Sequence, residues 1–180
     1  MATQRETVEL LGDCQAYLIP EGIPMTLKAG AKVIITQALG GDVTVYADGN
    51  LVQIFASDAH LLGEKYRHAF PEESPDTPLE QQVWNRLRTC YDPEIPVNIV
   101  DLGLVYDCKV YENDAGKTCA AVKMTLTAPA CGMGPILAEG VRHRLLSLEG
   151  LDEADVEILF DPPWGQEMMS EAAKLELGLL

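Results

Sequence analysis

Cys131 has the strongest capacity for chemistry in the chain, set in the stretch Thr125-Leu-Thr127-Ala-Pro129-Ala-Cys131-Gly132-Met-Gly134-Pro135. An apolar alternation ends there, glycine and proline enforce a sharp turn, and helical periodicity begins. The first backbone N–H groups of a helix have no partner in the helix and carry the positive end of its dipole. A cysteine at that position has its thiolate favoured and its reactivity raised. The same N–H groups, with the hydroxyls of Thr125 and Thr127, can hold an anion or the sulfide of a bound cluster. Gly132 and Gly134 remove side chains from the approach. The competing reading is that Cys131 fills a small apolar hole and the glycines serve only the turn.

A second stretch carries acids: Asp92-Pro-Glu94-Ile-Pro-Val-Asn98-Ile-Val-Asp101-Leu-Gly-Leu-Val-Tyr106. Asp92, Glu94 and Asp101 can ligate a hard cation or move protons, and they can equally cap turns beside Pro and Gly. A third, Asp161-Pro-Pro-Trp164-Gly-Gln-Glu-Met-Met-Ser170, is a rigid turn that presents an aromatic ahead of a helix. Trp164 is expected either to cover the turn at Cys131, to join a binding surface, or to pack into the core.

The other thiols and the histidines build no cage. The five cysteines, Cys14, Cys90, Cys108, Cys119 and Cys131, are odd in number and widely spaced. A disulfide framework and a preformed single-chain metal cage are both disfavoured by that spacing. Cys108 belongs to the apolar face of a strand, while Cys14, ahead of the first expected strand, is the second candidate for a reactive thiol. His60, His68 and His143 lack partners at ligand spacing and are expected at the surface. With 13 bases against 28 acids, the formal charge is −15. That balance repels phosphate backbones and argues against nucleic acid as a partner, while suiting a partner with a basic docking surface. No apolar run nears the ~18 residues that span a bilayer, and the start of the chain lacks a signal-peptide pattern. No membrane partner is expected, and the cytoplasm is the expected location.

The elements that position these stretches fall into two groups around a Pro- and acid-rich segment at 70–78, read as a linker. Residues 1–69 read as a small β-rich domain, meander or barrel-like. Its expected strands lie at 15–19, 32–37, 43–47 and 51–55, the last two flanking the hairpin signal Asp48-Gly49-Asn50. Residues 79–180 read as an α+β domain with a small mixed sheet packed with helices, in the order helix, strand, strand, helix, strand, helix. Thr77 as N-cap with Pro78 at the first helical position opens the first helix, whose stripe is Leu79, Val83 and Leu87 with Trp84. Alternations through Leu104–Val110 and Ala120–Leu126 give two strands joined at Asn113-Asp114-Ala115-Gly116. Leu137, Val141, Leu145 and Leu148 give the next helix, Val156, Ile158 and Phe160 the third strand, and residues 167–177 the last helix.

Taken together, the three stretches resemble the SufT family, built on the domain shared by PaaD-like proteins and metal–sulfur cluster biosynthetic factors. The resemblance rests on Asp92–Tyr106, Thr125–Pro135 and the tail from Asp161-Pro-Pro-Trp164 through Met-Met-Ser170-Glu-Ala-Ala-Lys-Leu-Glu-Leu-Gly178. Asp13-Cys14, Ile19-Pro20-x-Gly22, Leu27-x-Ala-Gly30 and Gln37-Ala-Leu-Gly-Gly41 resemble the family's N-terminal extension. Two positions depart from the pattern: Ala130 stands where glycine is expected before the cysteine, and Gly165 where asparagine is usual after the Trp. The resemblance implies an iron–sulfur cluster assembly fold and a non-enzymatic auxiliary role in assembling clusters or delivering them to clients. It makes Cys131 the leading functional residue and the metal ligand, binding iron or a cluster transiently. Thr125, Thr127, Gly132, Gly134, Asp92, Glu94, Asp101 and Trp164 surround it as cluster- or client-binding residues. The expected partners are iron–sulfur assembly proteins, apo-clients and a second copy of the chain, since a symmetric dimer doubles a scarce ligand set. A metal-free adaptor is the alternative; a thiol transferase or metal-assisted hydrolase is disfavoured because no histidine base accompanies the thiol.

Overall fold

The computed structural model describes residues 5–92, 95–129 and 132–180. The chain forms two compact units, Met1–Pro71 and Glu72–Leu180.

The first unit is one antiparallel sheet of six strands: β1 Glu6–Glu9, β2 Cys14–Leu18, β3 Pro24–Leu27, β4 Lys32–Leu39, β5 Asp42–Ala47 and β6 Asn50–Ile54. Their spatial order is β1-β4-β5-β6-β2-β3, so β4, β5 and β6 form a meander and β1 and β3 lie at the edges. Period-two alternation sends Val33, Ile35, Val43, Val45, Val52 and Ile54 to one buried face. The β5–β6 hairpin turns on Asp48 and Gly49 at φ 48° and 82°, the double left-handed geometry of a two-residue loop. Two 3₁₀ turns, Ala59–Leu62 and Glu64–Tyr66, follow, and Ala59 and Leu62 join the same core. Two strands escaped the sequence pattern, β1 and β3, both at edges.

The second unit is α+β. It runs α1 Leu79–Leu87, β7 Val105–Glu112, β8 Thr118–Met124, α2 Gly134–Leu146, β9 Glu153–Ile158, a 3₁₀ turn Gln166–Met168 and α3 Glu171–Glu176. The sheet order is β7-β8-β9, with β7 antiparallel and β9 parallel to β8, so α2 is the crossover of a βαβ unit inside a mixed sheet. Val83 and Leu87 of α1, Val122 and Met124 of β8, and Val141 and Leu145 of α2 meet in one core, each at most 1% exposed.

Three boundaries differ from expectation. Pro78, at ψ 143°, is the N-cap of α1, and Thr77 lies outside the helix with its carbonyl accepting the Gln82 side chain at 2.8 Å. Phe160 falls beyond β9 and is 55% exposed. The last helix is split, because Met169 adopts an extended ψ of 145° and Ser170, not a residue near 167, caps α3 by accepting the Ala173 N–H.

Candidate functional site

The described residues between α1 and β7 form an irregular loop that makes some bonds locally and others to distant segments. The side-chain oxygen of Asn98 accepts the N–H groups of Val100 and Asp101, at 3.1 and 2.9 Å, and its amide donates to the Asp101 carboxylate at 2.6 Å. This Asx turn sets up the reversal that ends at Gly103, and Ile99, Leu102 and Leu104 turn into the core with no exposure. Asp92 is only 3% exposed and is hydrogen-bonded there. Its carboxylate accepts the Ile95 N–H at 2.8 Å and the Thr127 hydroxyl at 3.4 Å. That second bond joins the acid loop to the loop between β8 and α2, which carries Cys131. The backbone N–H of Thr125 donates to the Leu104 carbonyl at 2.8 Å, a further tie between the same two loops.

The third stretch closes on the first from its other side. The Trp164 indole N–H donates to the Leu102 carbonyl at 2.7 Å, and the half-buried ring packs on the core. The Ser170 N–H donates to the Asp101 carbonyl at 2.8 Å, and the Tyr106 hydroxyl donates to the Pro162 carbonyl at 2.7 Å. Gly103, at φ +76°, comes so close to the Met168 backbone that a Cβ there would fall 2.2 Å from the Met168 carbonyl oxygen. Asp101 therefore serves the loop with both its carboxylate and its carbonyl, and Trp164 serves it as an anchor as well as an apolar body.

Gly134 is buried at the first turn of α2, where a Cβ would stand 3.1 Å from Leu126 Cδ1; Gly132 is exposed. Thr125 is 2% exposed and Thr127 half-buried. Cys131, Glu94 and Ala130 lie outside the described residues. Gly165 is extended at φ −140°, a conformation open to any residue, and the atoms nearest to a Cβ there would be the flexible end of Glu167.

The remaining thiols are core residues. Cys14, Cys90, Cys108 and Cys119 are 0%, 3%, 7% and 4% exposed. Burial pushes the Cys14 thiol up to about 12, with Asp58 adding to the shift, so the second reactive-thiol candidate is an inert one. Burial likewise pushes Cys108 up to about 11, and raises Cys119 beside Glu153. Among the described residues, no group of three or more His, Cys, Asp or Glu is placed to hold a metal ion. No described helix is long and apolar enough to cross a membrane.

Sequence reasoning passed over Asn98, Gly103, Tyr106 and Ser170. Asn98 and Asp101 at a three-residue spacing, and Ser170 ahead of Glu171, were the available signals. No local signal marks Gly103 or Tyr106, because their partners are ~60 residues away in sequence.

A mixed βαβ sheet bearing three interlocked loops is the arrangement to compare with known proteins. Residues 80–158 match the family of iron–sulfur cluster assembly proteins. An "Fe-S protein maturation auxiliary factor" of Porphyromonas gingivalis is 44% identical over 101 residues, covering 56% of this chain and 92% of the relative. The "Fe-S protein maturation auxiliary factor SufT" of Staphylococcus aureus is 42% identical over 88 residues, covering 49% of this chain and 96% of the relative. A crystal structure of a "Domain of Unknown Function DUF59" from Bacillus anthracis aligns at a TM-score of 0.48 and 35% identity, over 57% of this chain and 93% of that one. The chain belongs to the iron–sulfur cluster assembly protein family. The family match begins at Glu80, so the six-stranded unit lies outside it.

Proposed function

We propose that this chain is an auxiliary factor in iron–sulfur protein maturation, acting without catalytic turnover in the cytoplasm on assembly proteins and apo-clients. The supporting observation is the interlocking of the acid loop, the cysteine loop and the Trp164 tail around Asp92, Asp101 and Leu102. That arrangement ties Thr127, four residues before Cys131 in the sequence, to the acid loop, and the described residues contain no second accessible cysteine. Cys131 takes iron or a cluster as cargo, with Thr125, Thr127, Gly132 and Gly134 shaping the approach and Asp92, Glu94, Asp101 and Trp164 supporting it. A cluster calls for about four protein ligands. The others therefore come from a client or from a second copy in a homodimer.

Anaerobic reconstitution of the full chain, read by absorption spectroscopy, tests this reading. The cluster bands appear in the wild type and vanish in Cys131→Ser; bands that survive the substitution overturn the role of Cys131. The buried state of the other four cysteines also supports a second reading, a metal-free adaptor that docks clients. Co-purification of apo-clients undiminished by Cys131→Ser, with no iron bound by the wild type, selects it.

A further inference from the structure

Tyr106 occupies a β-bulge. The ladder between β7 and β8 pairs Val105 with Met124 and Asp107 with Lys123, leaving Tyr106 as the extra residue. A bulge re-aims a side chain and ends regular pairing, and it costs ladder bonds unless the released residue is used elsewhere. Here the released phenol reaches the tail: its hydroxyl donates to the Pro162 carbonyl at 2.7 Å and lies 3.7 Å from Met168 Sδ. Pro162 precedes Trp164, whose indole is bonded to Leu102, and Met168 precedes Ser170, whose N–H is bonded to Asp101. The loop 101–106 and the tail 162–170 are thus stitched together at both ends and in the middle, where Gly103 admits the Met168 carbonyl. The loop runs back through the Asn98–Asp101 bond and the Tyr91–Asn98 bridge to Asp92, which takes the Thr127 hydroxyl four residues before Cys131.

We propose that Tyr106 is a positioning residue for the Cys131 loop, acting by clamping the Trp164 tail onto the loop that holds Asp92. The inference rests on the function above only in taking Cys131 as the working thiol. Three of the links, Tyr106–Pro162 at the surface, the part-buried Trp164–Leu102 and Ser170–Asp101, join segments about sixty residues apart in sequence. Releasing the tail therefore frees the 98–104 reversal, and with it the carboxylate that anchors Thr127. Removing the phenol oxygen leaves the aromatic packing in place and deletes one neutral hydrogen bond. Such a bond contributes about 1 kcal/mol, which corresponds to about a fivefold rise in the open-clamp population.

The test uses the full chain carrying Trp84→Phe, so that Trp164 is the sole tryptophan. Tyr106→Phe is expected to raise acrylamide quenching of Trp164 and to change the iodoacetamide labelling rate of Cys131, followed by peptide mass spectrometry at one pH, several-fold. The thermal midpoint should move by only a few degrees. Trp164→Phe, which keeps a ring but loses the indole N–H, must move the Cys131 rate in the same direction. The double variant must fall short of additivity, because both residues act through one clamp. A Cys131 rate unchanged in Tyr106→Phe overturns the positioning role, and unchanged Trp164 quenching overturns the clamp itself. Labelling requires no cluster and no client. Cluster bands that survive Cys131→Ser, or that never form in the wild type, therefore count against the proposed function without deciding whether Tyr106 positions the loop.

Discussion

Gly103→Ala isolates the close approach on which the tail depends. Two costs act at that position. At φ +76°, alanine carries a left-handed backbone penalty of about 1–2 kcal/mol, less about 0.4–1 kcal/mol gained by restricting the unfolded chain. The new methyl would also stand 2.2 Å from the Met168 carbonyl oxygen and 2.8 Å from its carbonyl carbon, which are backbone atoms with no rotamer to change. Relief requires the tail to withdraw by about 1 Å. That displacement breaks the Trp164–Leu102 and Ser170–Asp101 bonds, each contributing about 1 kcal/mol. The expected loss is about 3 kcal/mol. Gly116→Ala is the control: φ is +75° there with nothing within 4 Å, so only the backbone cost of about 1 kcal/mol applies. Both tryptophans lie in the second unit, so urea unfolding followed by tryptophan emission reports on that unit. A Gly103→Ala loss no larger than the Gly116→Ala loss would refute the argument that the tail is held by this contact.

Asp92→Ala strands the Ile95 N–H and the Thr127 hydroxyl, and should cost about 2–3 kcal/mol in urea unfolding, while Asp92→Asn, which keeps an acceptor oxygen, should cost less. Ser170→Ala removes the cap of a six-residue helix; a loss of about 1 kcal/mol should appear as faster hydrogen exchange at Ala173 and Lys174 with little change in the sheet. The Cys108 thiol is held protonated in the fold up to about 11, whereas the unfolded thiol ionises from about 8.5. Its stabilisation is therefore complete below about pH 8.5 and is lost as pH rises toward 11, at up to about 1.4 kcal/mol per pH unit. Urea midpoints should fall between pH 8.5 and 10.5, and Cys108→Val should flatten that fall.

The elements that bury their own alternation were legible, and those held by neighbours were not. Val33 and Ile35 of β4, and Val122 and Met124 of β8, announce their strands because each buries a face. β1 reads Glu-Thr-Val-Glu with only Val8 apolar, and β3 opens on a proline; both are edge strands defined by the ladder of an inner strand, β4 or β2. The last helix was misplaced because Met169 is drawn into the core and the Ser170 N–H is claimed by Asp101, tertiary demands that no propensity records. The chemistry-bearing stretches were each visible as local patterns. Their mutual placement was not, since it depends on bonds such as Tyr106–Pro162 and Trp164–Leu102 that span about sixty residues. Cys14 misled for a related reason: it reads as lying ahead of the first strand, yet it begins β2 opposite Leu27 and is fully buried.

The burial of the other cysteines constrains how cargo can be held. Four of five thiols are buried: Cys14 in one core, Cys90 and Cys108 in the other, and Cys119 beneath Glu153 at the sheet end. Recruiting any of them as a ligand would expose apolar neighbours, and burial holds the protons of Cys14, Cys108 and Cys119 against ionisation. Holding a cluster on one chain would thus work against folding, whereas sharing it across two chains would not. On the proposed function, one thiolate per chain holds cargo reversibly, which suits delivery better than storage. With 28 acidic against 13 basic residues, the chain on the proposed function suits a client with a basic face while adding no soft ligand that would compete with the client's own thiolates.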